Sequence, residues 1–203
     1  MTGRGWRIAE AVCLLAGLAL LDWYVWSRAW PAVYQAWESH LFQHAVRETR
    51  VPPAHAPLPR LHRGDLVGRL EVPRLGLAVM VKEGSDEAIL AGAVGHLPSS
   101  PVPGGVGNVA VAGHRDTFFR PLKDLRVHDR IVFTTLQGTF EYEVESEKIV
   151  RPTDVSVLRA SAGPTLTLVT CYPFYYVGSA PKRFIARARL VAREPLVERA
   201  SLR

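Results

Sequence analysis

Residues 165–171 read TLTLVTC. Side chains alternate faces along a strand, so Leu166, Leu168 and Thr170 share one face while Thr165, Thr167, Val169 and Cys171 share the other. The leucine pair marks the buried side. Cys171 therefore stands with the threonines, at a strand end, just before the loop YPFYYVGSAP (172–181). An inert structural cysteine would sit more comfortably on the leucine face, so this thiol is a candidate nucleophile. The chain's one other cysteine is Cys13, and the pair offers neither a disulfide framework nor a metal-ligand spacing.

The strand belongs to a series of similar runs. LVGRLEV (66–72) and LAVMVKE (77–83) flank the turn PRLG. SDEAILAGA (85–93) reads as a short helix with Ser85 as its N-cap and acidic residues in its first turn. PSSPVPGGVG (98–107) is a loop and NVAVAGH (108–114) a strand. RPLKDL and DVSVLRA each give one helical turn. DRIVFTTL and TFEYEVESEKIV form a hairpin around Gln137 and Gly138, and KRFIARARLVA (182–192) closes the series. Seven or eight short, mostly non-parallel strands make a mainly β domain, either a closed barrel or a sandwich; the pattern does not choose.

The N-terminal region has a different composition. Ile8 to Trp26 (IAEAVCLLAGLALLDWYVW) is close to the roughly 20 residues a spanning helix needs. Glu10 and Asp22 lie near its ends, and Trp23, Tyr24, Trp26 and Trp30 cluster on the far side as an interfacial belt. Bulky WYVWSRAW stands where a signal-peptide cleavage site would need small residues, so the expectation is an uncleaved anchor over 8–26. Arg4 and Arg7 place residues 1–7 in the cytoplasm and the rest outside; Arg28 weakens that asymmetry without reversing it. Cys13 is then an apolar filler. Residues 31–50 have helical spacing, with Pro31 at the start and a stripe of Val33, Trp37, Leu41 and Ala45. VPPAHAPLP (51–59) is a stiff spacer. Residues 27–60 are thus stalk and linker, 61–195 the folded domain and 196–203 a tail.

A net charge of +6 permits attraction to an anionic envelope, but no aromatic-interleaved basic motif points to nucleic acid. A reactive thiol needs a proton partner. His40 and His44 lie in the stalk, His55 and His62 in or beside the spacer, and His128 in a polar turn. His96 and His114 remain. His114 mirrors Cys171, since a strand of small apolar residues delivers it to a strand end, where Gly113 leaves backbone room. Arg183, at the start of the next strand, is suited to stabilise developing negative charge. Arg187 and Arg189, in phase with it, read as a solvated stripe.

AGHRDTFFRPL, TLTLVTCYPF and KRF together resemble the sortases, membrane-anchored cysteine transpeptidases of bacterial surfaces. Their signature is a strand-end histidine, a TLxTC strand and an arginine opening the next strand, which here are His114, Thr167 to Cys171, and Arg183. The similarity runs over about 66–192 and is most like class D. It implies a closed eight-stranded β-barrel. It also implies that Cys171 attacks a carbonyl within an LPxTG-like sorting signal of a surface protein, forming a thioester that an envelope amine resolves. Arg183, with help from Thr170, would hold the carbonyl or oxyanion, and His114 would move the proton. His96 falls where the family commonly has a groove histidine; Tyr172 and Phe174 would wall the groove. No cofactor or metal is called for, and no acidic loop suggests calcium. Two rival classes fit less well. A cysteine hydrolase of envelope peptides would usually carry its cysteine on a helix upstream of its histidine, and a non-catalytic β module leaves the His–Cys–Arg coincidence unexplained.

Overall fold

The computed structural model describes residues 3–48, 61–176 and 178–195. The proline-rich spacer and the segment 196–203 lie outside these, as do the side chains of Trp30, Trp37, Leu41 and Ala45.

One helix, α1 (Gly3–Glu48), continues past Pro31, so the expected anchor and stalk lie in the same helix. Gly5–Trp26 is long and apolar enough to cross a membrane, and its side chains are exposed throughout. Farther along α1, the Gln35 amide donates to the Gly92 carbonyl at 2.6 Å and accepts from the Met80 amide at 2.7 Å.

The folded domain contains eight strands: β1 (Leu66–Val72), β2 (Leu77–Glu83), β3 (Val94–His96), β4 (Asn108–Ala112), β5 (Arg130–Thr135), β6 (Gly138–Val150), β7 (Thr165–Tyr172) and β8 (Lys182–Glu194). They close into a barrel in the order β1-β2-β3-β4-β7-β8-β6-β5, which selects the barrel over the sandwich. Closure leaves no free sheet edge. Two seams are parallel, β2 with β3 and β4 with β7; the others are antiparallel. The interior is filled by β-branched, leucine and aromatic side chains, among them Leu70, Val81, Val111, Phe133, Phe140, Leu166 and Leu168. Tyr142 is buried among them with its hydroxyl accepting from the Gly104 amide, and burial pushes its phenol up to about 12.

The strand phase read for β7 holds, but its outer face is covered. Thr165 and Thr167 are buried because Asn108 Oδ1 accepts from both hydroxyls, at 3.1 and 2.7 Å. The Asn108 amide in turn donates to the Val157 and Arg159 carbonyls at 3.1 and 3.3 Å, which fastens the 3₁₀ turn Val155–Leu158 over that face. Only at the C-terminal end of β7 does the outer face open to solvent.

The helix after β2 also differs from expectation. It is one turn, α2 (Glu87–Leu90), and its cap is Asp86 rather than Ser85. Asp86 accepts from the Ala88 and Ile89 amides and takes both nitrogens of the Arg63 fork at 2.8 Å. That fork holds the Asp86 carboxyl at about 2.

Candidate active site

Strand register assembles the site. On the parallel seam Ala112 pairs with Val169, and the Gly113 amide donates to the Val169 carbonyl at 3.1 Å. His114, two residues beyond Ala112, therefore comes level with Cys171, two beyond Val169. On the antiparallel seam Cys171 is the direct partner of Arg183, so their side chains leave the same face of the sheet. All three line one cleft of about 330 Å³, together with Arg115, Asp116 and residues 178–180.

The His114 turn is tightly held. Thr170 donates its hydroxyl to the Gly113 carbonyl at 2.7 Å, and the His114 carbonyl accepts from the Phe119 amide at 2.9 Å. A side chain on Gly113 would meet the Phe119 ring at 2.9 Å, so glycine here lets that buried ring close beneath the turn. The His114 side chain remains one-third exposed, with Nε2 3.7 Å from the Glu87 carboxylate on α2. Cys171 and Arg183 are half-buried. Arg183 Nη1 donates to the carbonyls of Ala180 and Lys182 at 3.1 and 3.0 Å.

The other residues expected to contact substrate have different surroundings. His96 is only 1% exposed, which corrects its expected place on the groove. Its Nδ1 meets Glu83 at 2.6 Å, and its Nε2 meets the Pro101 carbonyl at 3.0 Å and the Ser100 hydroxyl at 3.1 Å, so both nitrogens are engaged in anchoring the 97–107 loop. Thr170 is 2% exposed with its hydroxyl committed to Gly113; it positions the histidine turn and has no free donor for an oxyanion. Tyr172 and Phe174 pack on the core, with Phe174 also 5.3 Å from Phe184, and neither lines the cleft. The aromatics that do face solvent in this loop are Tyr175 and Tyr176. Arg189 pairs with Glu143 at 3.1 Å on the outer surface, away from the cleft.

Two side chains escaped the sequence reading. Glu87, in the first turn of α2, comes within 3.7 Å of His114 across the fold, a contact that no local pattern announces. Arg115, inside the AGHRDTFFRPL motif, is buried beside His114, which its residue type does not announce. Among the described residues no group of three or more His, Cys, Asp or Glu is placed to hold a metal ion.

The sortase-domain family profile matches residues 70–191. Sortase D of Bacillus subtilis (strain 168) is 38% identical over 129 residues, covering 63% of this chain and 65% of that relative, so the match spans just under two thirds of its length. Among solved structures, a Clostridium perfringens Sortase D5 transpeptidase superposes with a TM-score of 0.60 at 31% identity, covering 65% of this chain and 82% of that one. Sortase E from Streptomyces avermitilis gives 0.59 at 32% identity, covering 68% and 95%.

Proposed function

This chain belongs to the sortase family, and we propose that its barrel is a cysteine transpeptidase acting on C-terminal sorting signals of surface proteins. The observation that carries this reading is the convergence of Cys171 on β7, Arg183 on β8 and His114 just beyond β4 on one open cleft.

In this reading the Cys171 thiolate attacks the scissile carbonyl carbon of an LPxTG-like segment. Arg183 exchanges the carbonyls of Ala180 and Lys182 for the oxygen on which negative charge develops. The intermediate collapses to a thioester as the C–N bond breaks, and His114 gives its proton to the leaving amine. An amine of the envelope, or of a second protein, then attacks the thioester. His114 takes the proton from that amine, and Cys171 leaves as thiolate. Assignment to class D is supported by the identity to Sortase D and by the short connection between Cys171 and Arg183. The anchor is residues 8–26 with the N-terminus cytoplasmic, which puts the cleft on the outer side of the membrane.

The chemistry is tested on detergent-extracted full chain given an LPxTG-like peptide, with and without a primary amine. The expected result is an acyl adduct on Cys171, seen by mass spectrometry, which the amine converts to an amide product. A peptide cleaved with no adduct on Cys171, or an adduct that only water resolves at every amine concentration, would overturn the reading. Protease added to intact spheroplasts should digest the barrel; full protection would reverse the topology.

A further inference from the structure

Arg115 has no task in the mechanism above. It is nevertheless 9% exposed, an uncommon place for a guanidinium, whose burial is costly unless its donors are used. Its Nη2 donates to two carbonyls of the loop between β7 and β8, Tyr176 at 2.6 Å and Gly178 at 3.0 Å. Its guanidinium carbon lies 5.8 Å from the centre of the Tyr176 ring. Among the described residues its buried Nη1 has no partner. Among the described residues Phe174 packs the start of this stretch on the core against Phe184, and two further side chains reach it. Lys123 reaches the side chain of Tyr175, and Arg183 holds the Ala180 carbonyl at 3.1 Å.

The loop is thus held by two arginines, one next to His114 and one opposite Cys171. Arg115 fixes the backbone at 176 and 178, and Arg183 hangs from the same backbone at 180. A planar fork suits this task because it keeps its donors at a set angle, which a lysine cannot do.

We propose that Arg115 is a positioning residue for Arg183: by clamping the Tyr176 and Gly178 carbonyls beside His114, it sets the loop from which the Arg183 guanidinium is presented to the reacting carbonyl. The inference rests on the transpeptidase reading for its kinetic consequence, but the clamp itself does not.

The test is a double-mutant cycle of Arg115→Lys and Arg183→Lys in the full chain, read as kcat and KM for an LPxTG-like peptide. Alongside it, hydrogen exchange of the loop amides and Tm are measured. Misplacing Arg183 should cost on the order of 10- to 100-fold in kcat when Arg115 is changed alone. The same change should cost less than about twofold when Arg183 is already lysine, because the residue it positions is gone. Loop exchange should rise at Tyr176 and Gly178 with Tm unchanged. Equal losses in both backgrounds would mean that Arg115 acts elsewhere and would sink the proposal, as would unaltered loop exchange. Arg115→Gln, which keeps part of the donor set, is carried through the same cycle; if neither variant folds, Arg115 is a folding residue and the proposal falls. Native chain that makes no Cys171 adduct would defeat the transpeptidase reading instead, and the exchange measurement would still decide the clamp.

Discussion

The strand pair β4 and β7 is built alike at its two ends and put to opposite uses. At the N-terminal end Asn108 meets Thr165 and Thr167, and every polar group of its amide is used; all three residues are buried. At the C-terminal end the same two strands deliver His114 and Cys171 to a cleft. There, among the described residues, Arg183 holds carbonyls of its own loop and neighbour, and one nitrogen of Arg115 has no partner. A satisfied buried network rigidifies and specifies, whereas an incomplete one leaves donors for a ligand. Sequence distance between the two ends is six residues, and the covering turn Val155–Leu158 stops short of the second.

The comparison predicts which substitutions change rate and which change stability. The largest effect belongs to Cys171→Ala, which should lower peptide turnover by about 10⁴-fold or more, as loss of a nucleophile does elsewhere. Cys13→Ala, on the exposed apolar helix, should stay within twofold in the same assay. Turnover in Cys171→Ala comparable to native would remove the thiol from the chemistry. Next comes Arg183→Ala, expected to cost about 10²- to 10³-fold in kcat with little change in Tm, the cost of one oxyanion donor. A large fall in Tm at unchanged kcat would make it a structural residue and erase the contrast between the two ends.

Asn108→Ala tests the closed end. It strands two threonine hydroxyls and two carbonyls, for an expected loss of roughly 2–3 kcal/mol. Urea unfolding should show a lower midpoint at an unchanged slope, while kcat per folded molecule stays native. A selective loss of activity in this variant would show that the network serves the site.

A more modest effect lies outside the strand pair. Arg74 binds Asp129 through both nitrogens of its fork and also the Asp124 carbonyl, and it holds the buried Asp129 carboxyl below the usual aspartate value. A depressed carboxylate contributes stability that is fully present above the unfolded value, near 3.8, and is lost as pH falls through the folded one. Arg74→Ala should therefore lower stability modestly near neutral pH, because the guanidinium is half-exposed and solvent screens the pair. That difference from native should shrink as pH falls below 4. Thermal unfolding of both proteins from pH 7 to pH 3 checks it; a constant difference would rule out the ion pair as its source.

Much of the site was legible because alternation and strand ends are local. The phase of TLTLVTC separates Cys171 from the leucines, and a strand of small residues ending at His114 marks a second terminus. What covers a face is not local. The threonine face of β7 looked open, and it is closed by an asparagine 57 residues from Thr165 and a turn that precedes the strand. The resemblance put His96 on the groove, but Glu83 from the adjacent strand and Ser100 from the following loop engage its two nitrogens. Ser85 and Asp86 are both good caps by residue type; Arg63, bonded to the Asp86 carboxylate, comes from another part of the chain.

Seven of the eight strands, the apolar helix, the side of β7 on which Cys171 stands and the family resemblance are all legible in the sequence; the short β3 is not. These follow from periodicity, chain punctuation and a spaced motif, all of which are written along the backbone. Tertiary structure closes the barrel that the family resemblance implied, and it sets the register that puts Cys171 against Arg183. It also turned Thr170 inward as a tie for the histidine turn and made Arg115 a buried clamp. Those outcomes depend on hydrogen-bond partners drawn from distant segments, and a donor's partner is chosen by the packed geometry around it.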